Sequence, residues 1–143
     1  MRLYRVGLFT DVYFPNPNGV TTSVYLLLRE LRRMGHEAWV IAPAHPEAPE
    51  NEEGVARVPS VAYPFYEGQQ IALPSARHLP TEFELVHTHT PLTLGVWGLR
   101  IARNKNLPHV STFHTHYEKY AHYVPGLAFL DKYTGIVPRL AKA

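Results

Sequence analysis

The chain of 143 residues contains no cysteine. Neither a disulfide framework nor a thiolate metal site can be built from it. No apolar run reaches the ~18–20 residues that a membrane-spanning helix needs. Charge is sparse as well: 18% of the residues are charged, and the formal net charge is +2. That balance permits contact with phosphates or an anionic membrane and gives no reason to expect a nucleic-acid partner. The opening "MRLYRVGLF" meets Asp11 before it reaches the length of a secretory signal, so the cytoplasm is the expected location. A full Gly-x-Gly-x-x-Gly fingerprint is also lacking, which argues against an ordinary nicotinamide site.

What is present is a core-forming chain, 45% hydrophobic, of the size of one domain or a piece of one. Arg5–Thr10 reads as a short apolar strand buried on both faces. Val24, Leu27, Leu28, Leu31 and Met34 follow at helical spacing, and Gly35 is placed to stop the helix. Glu37–Ala42 is a second strand, which makes a βαβ unit with a right-handed crossover. "GVARVPS" reads as a third strand. Val61 to Leu79 is irregular and aromatic, with one extended piece. "LVHTHT" from Leu85 is a further strand, with Thr90 as the N-cap of a helix and Pro91 at its first position. Leu92, Val96 and Leu99 form that helix's buried stripe, and Gly95 and Gly98 let it pack closely. "HVSTFHT" is the last strand before a tyrosine-rich tail that ends inside a helical pattern, as a truncated chain would. This alternation predicts an α/β fold, a Rossmann-like doubly wound parallel sheet.

Three strand ends carry polar clusters: Thr10-Asp11, His87-Thr88-His89-Thr90 and His114-Thr115-His116. Ligands of such sheets bind beyond the carboxyl ends of the strands, where the strand order reverses. With strands ~4.8 Å apart, Asp11, His89 and His114 could converge on one crevice. In "TDVYFPNPNGVTTS", Asn18-Gly19 puts bare N–H groups at a helix mouth, where the macrodipole favours an anion. Pro15 and Pro17 stiffen the loop, which reads as a phosphate cradle.

Plainer readings stand beside these. Asn-Gly is a common turn dipeptide, and Thr10-Asp11 can serve local hydrogen bonds alone. His87 and His109 read as polar residues tucked against helices. The two His-Thr-His triplets could offer four imidazoles to zinc or copper, but no carboxylate lies at useful spacing, so no metal site is expected. Tyr117, Tyr120 and Tyr123, with Lys119, form either a packed aromatic face or a membrane-interface anchor. Arg29, Arg32 and Arg33 form a solvated face that could also meet anionic lipid.

The segments "GLFTDVYFPNPNGVTTSVYLLLRELRRMGHEAWVIAP", "VPSVAYPFYEGQQIALP" and "VHTHTPLTLGVWGLRIARNKNLPHVSTFHTHYEKYAHYVP" together resemble the N-terminal domain of the retaining, nucleotide-sugar-dependent glycosyltransferases of family four. These have the GT-B fold, and within the family the likeness is greatest to bacterial diacylglycerol glycosyltransferases. The resemblance implies that residues 1–143 are the N-terminal, acceptor-side half of that fold, and that the domain holding the nucleotide sugar is not part of this chain. It implies that Asn18, Gly19 and Val20 approach the donor diphosphate and that His114 lies beside the transferred sugar. Asp11, Tyr13, His89 and Thr90 would line the acceptor side, with Tyr117 and Tyr120 on an acceptor- or membrane-facing segment. The implied reaction moves a hexose from a UDP-sugar to a lipid such as diacylglycerol, with no metal or cofactor, at the inner face of the membrane. The leaving phosphate would help take the acceptor's proton, with no covalent intermediate. Two alternatives remain open at this stage. One is a family member acting on a soluble or polyprenyl-linked acceptor; the other is a non-catalytic nucleotide- or metal-binding module.

Overall fold

The computed structural model describes residues 1–65 and 67–114. Strand β1 (Arg5–Phe9) leads through helix α1 (Gly19–Arg33) to β2 (Glu37–Pro43) and β3 (Val55–Val58). A hairpin of β4 (Ser60–Ala62) and β5 (Gln70–Ala72) follows, then a 3-10 turn over Ala76–His78. The chain continues through β6 (Leu85–Thr88), helix α2 (Thr93–Asn104) and β7 (His109–Ser111). The main sheet has the order β3-β2-β1-β6-β7, with every pair parallel. Strand order therefore reverses between β1 and β6, and the carboxyl ends of these two strands flank the crevice.

Alternation along the strands covers both faces of this sheet. Val6 and Leu8 of β1 join Ala38, Val40 and Ala42 of β2 in a cluster completed by Val24 and Leu28 of α1. Phe9 and Ile41 point the other way and pack with Val86, Phe83, Leu94 and Ala102, on the α2 side. Full burial of a Val, Leu, Ile or Phe side chain contributes about 1.5–3 kcal/mol, and strands covered on both faces are apolar once past their exposed first residues, Arg5 in "RVGLF" and Glu37 in "EAWVIA".

Each helix departs from the expected pattern in an instructive way. In α1, Val24 and Leu28 are buried, whereas Met34 is the C-cap and 47% exposed. Gly35 ends the helix in the left-handed region (φ 93°). Its N–H donates to Arg32 O, and that of His36 donates to Leu31 O, a closed Schellman turn. Arg29 and Arg33 pair with Glu30, and Arg32 with Glu53, so this face, read as solvated and able to meet anionic lipid, carries carboxylate partners of its own. In α2 the buried positions are Leu94, Gly95, Gly98, Leu99 and Ala102, not a Leu92–Val96–Leu99 stripe. A Cβ on Gly98 would come within 2.9 Å of the Phe9 ring, so the glycine lets the helix axis close onto β1. Where one extended piece is expected within Val61–Leu79, both arms of the hairpin lie almost wholly there, Val61 pairing with Ile71. No described helix is long and apolar enough to cross a membrane. Tyr117, Tyr120 and Tyr123 lie outside the described residues.

Candidate active site at the switch point

Thr10 and Asp11 leave β1 beside His89 and Thr90, which leave β6; the His89 N–H donates to Phe9 O at 2.9 Å. Asp11 is 3% exposed. Its carboxylate accepts hydrogen bonds from the Thr93 hydroxyl (2.8 Å), the Leu94 N–H (2.9 Å), the Thr90 hydroxyl and, at 3.4 Å, the Gly95 N–H. Thr90 Oγ1 in turn accepts the Asp11 N–H at 2.9 Å. Two sequence expectations are corrected here. Thr90 does not cap α2; the N-cap position is Leu92, without a side-chain bond, and the cap arrives from Asp11. Pro91 accordingly lies before the cap, the first helical position being Thr93, and the first turn of α2 occupies the Asp11 carboxylate. Burial pushes this carboxyl above its ordinary range, opposed by the bonds from Leu94, Thr90, Thr93 and Gly95.

The histidines lie along the same strand ends. His87 and His89 share one face of β6, as an i, i+2 pair must, and their rings stack at 4.1 Å. His89 Nδ1 lies 3.1 Å from His114 Nε2. His87 Nε2 meets the Thr112 hydroxyl at 2.7 Å, and His109 Nε2 meets that of Thr88 at 2.9 Å, so these two are tied within the sheet. Burial first, then the neighbouring imidazoles, lowers His87 to about 4 and His89 to about 3. Burial also lowers His114. At neutral pH the row is uncharged. His116 lies outside the described residues, and among those described no three His, Cys, Asp or Glu are grouped to hold a metal ion.

At the mouth of α1, Asn18 Oδ1 accepts the Thr21 N–H at 2.9 Å, so the side chain caps its own helix. Asn18 and Gly19 are exposed and Val20 is half-buried, and a Cβ on Gly19 would meet nothing within 4 Å. Tyr13 is foremost a core residue, 5% exposed, with one side on a small open recess shared with Asp11, Asn16, His45, Arg57, Gln69 and Gln70. Burial and Glu52 push its phenol up to about 12, against the pull of Arg57. Gln69 Nε2 donates to Asp11 O at 3.1 Å. Arg57 donates to Glu52, to Pro43 O and to Phe14 O. Sequence reasoning misses this recess, and its one signal is a Gln-Gln pair in an aromatic stretch.

The sequence of residues 17–142 matches the domain described as Glycosyltransferase Family 4. The chain belongs to that family. Its parallel sheet is the Rossmann-like N-terminal half of a GT-B glycosyltransferase. It is 35% identical over 126 residues to the alpha-monoglucosyldiacylglycerol synthase of Streptococcus pneumoniae, covering 84% of this chain and 29% of that protein. The synthase of the same name from Acholeplasma laidlawii is 34% identical over 145 residues, 96% of this chain and 35% of its own length. A GDP-mannose-dependent alpha-mannosyltransferase of Mycolicibacterium smegmatis is 36% identical over 121 residues, 78% of this chain and 32% of that enzyme. The chain thus spans about a third of the length of these family members.

Proposed function

We propose that residues 1–143 form the acceptor-side half of a retaining hexosyltransferase that moves a sugar from a nucleotide donor to the hydroxyl of a lipid such as diacylglycerol. The observation that carries this reading, given the family, is the uncharged His89–His114 pair at the switch point, on the crevice that the mouth of α1 also borders. His114 holds a sugar hydroxyl. The open N–H groups at Asn18, Gly19 and Val20 offset the charge that grows on the leaving diphosphate, where fixed dipoles are most effective. Retention fits the alpha products in the relatives' names, because a glucosyl or mannosyl nucleotide already carries its sugar in the α linkage. In this reading a second domain of the full-length enzyme supplies most donor contacts. Two relatives are named for a diacylglycerol product, which favours a lipid acceptor reached at a membrane surface; UDP-glucose is the first donor to try.

The test uses the full-length protein with radiolabelled UDP-glucose, UDP-galactose and GDP-mannose, each with diacylglycerol in anionic vesicles. Label should enter the organic phase from one UDP-sugar and fall by about 10²–10³-fold in His114→Ala, as when an electrostatic contact to the reacting group is lost. Transfer from GDP-mannose alone would replace the donor. Label confined to the aqueous phase while another acceptor is consumed would discard the lipid.

A further inference from the structure

His89 holds an anomaly that its place beside His114 turns into information. The residue is 2% exposed, yet its Nε2 has no hydrogen-bond partner among the described residues. Its Nδ1 is committed to His114 Nε2 at 3.1 Å. Two neutral arrangements satisfy that contact. In the first, His89 is protonated on Nδ1 and donates; its buried Nε2 is then a bare lone pair. In the second, His114 donates from Nε2, and His89 must bury an N–H at Nε2 with no acceptor. Orphaned buried N–H groups are the rarer and costlier class, and a bare lone pair can still face weakly polarised C–H groups. The first arrangement wins.

We infer that His89 is a positioning residue that donates from Nδ1 to His114 Nε2 and so confines the His114 proton to Nδ1. This rests on the reading above in which His114 touches the sugar. A neutral His114 held in this tautomer offers a hydrogen-bond donor, not an acceptor, at its remaining nitrogen. Its ligand atom is therefore an oxygen lone pair, of a sugar hydroxyl or a phosphoryl group. The His87 ring stacks on that of His89, and the Thr112 hydroxyl holds His87 in turn. Among the described residues, the titratable groups facing His89 are His87 and His114, and both are uncharged at neutral pH; an imidazolium at either would oppose donation. Burial keeps the row neutral.

Ring-15N-histidine labelling of the full-length protein tests this directly, because protonated and bare ring nitrogens resonate far apart; His114→Gln assigns the signals. In the wild type, His114 Nδ1 should be of the protonated type at pH 7.5. His89→Phe keeps the ring volume and removes the donor, and it should release His114 into a mixture of tautomers. His89→Asn places an amide N–H near the lost Nδ1 and should restore the wild-type pattern. Transfer should fall about 10- to 100-fold in His89→Phe, the usual cost of losing an orienting partner, in kcat with acceptor KM unchanged, and recover in part in His89→Asn. A bare His114 Nδ1 in the wild type would overturn the inference, as would an unchanged His114 spectrum in His89→Phe. Should His114→Ala transfer sugar normally, the role of His114 fails, while the spectra still decide the tautomer.

Discussion

The two helices that border the crevice have opposite kinds of mouth. Helix α1 is capped by its own neighbour Asn18 and opens onto solvent, with nothing near Gly19. Helix α2 has no local cap and is closed by the carboxylate of Asp11, which lies 79 to 84 positions from the groups it binds. The same dipole and the same orphan N–H groups exist at both. At α2 the fold has satisfied them with an internal anion, and they serve stability. At α1 they stay accessible to an anion from outside.

Substitutions at the two mouths should therefore differ in kind. Asp11→Ala strips partners from two buried N–H groups and two hydroxyls and should cost about 3–4 kcal/mol in urea unfolding; a loss below 1 kcal/mol would break the contrast. The closed side should also be the acid-sensitive one. His87 and His89 titrate at about 4 and about 3 in the fold, below the ordinary 6.5. The unfolded chain then binds protons first, so the stability these two histidines contribute is whole above pH 6.5 and is lost as pH drops towards 3, whereas the raised Asp11 carboxyl acts in the opposite sense. The slope is at most about 1.4 kcal/mol per pH unit for each histidine. Unfolding midpoints between pH 7.5 and 5 should show the fall, and His87→Phe should flatten it. Asn18→Ala removes a single local cap and should cost about 1 kcal/mol by the same assay. Gly19→Ala meets no atom and should change stability by less than about 0.5 kcal/mol, yet weaken the donor KM of the full-length enzyme. Unchanged kinetics there would deny the open mouth its proposed part.

Much of this contrast is invisible along the chain. The Val24–Leu28 spacing, Gly35 and the apolar runs of β1 and β2 are legible, because their causes are local. Asn18 as a cap is legible for the same reason. The α2 cap is not: Thr90-Pro91 satisfies every local rule for a helix start, and a residue some eighty positions away overrides it. The hairpin over residues 60–72 is readable only as something extended, since its strands are three residues each and Ala72 alone among their residues is buried. At the site, the nearness of His89 to His114 follows from strand order. The burial of Asp11 and the recess around Arg57 depend on side-chain packing that no spacing encodes.

The borrowed cap also fixes an order of assembly. A helix of twelve residues is too short to persist in water without tertiary help. Its first turn gains an acceptor only once β1 and β6 have paired, and contacts so distant along the chain form slowly. Helix α1, with its cap and stop signal at hand, has no such wait. In quenched-flow hydrogen exchange, amide protection should appear in residues 22–33 before it appears at Leu94 and Gly95.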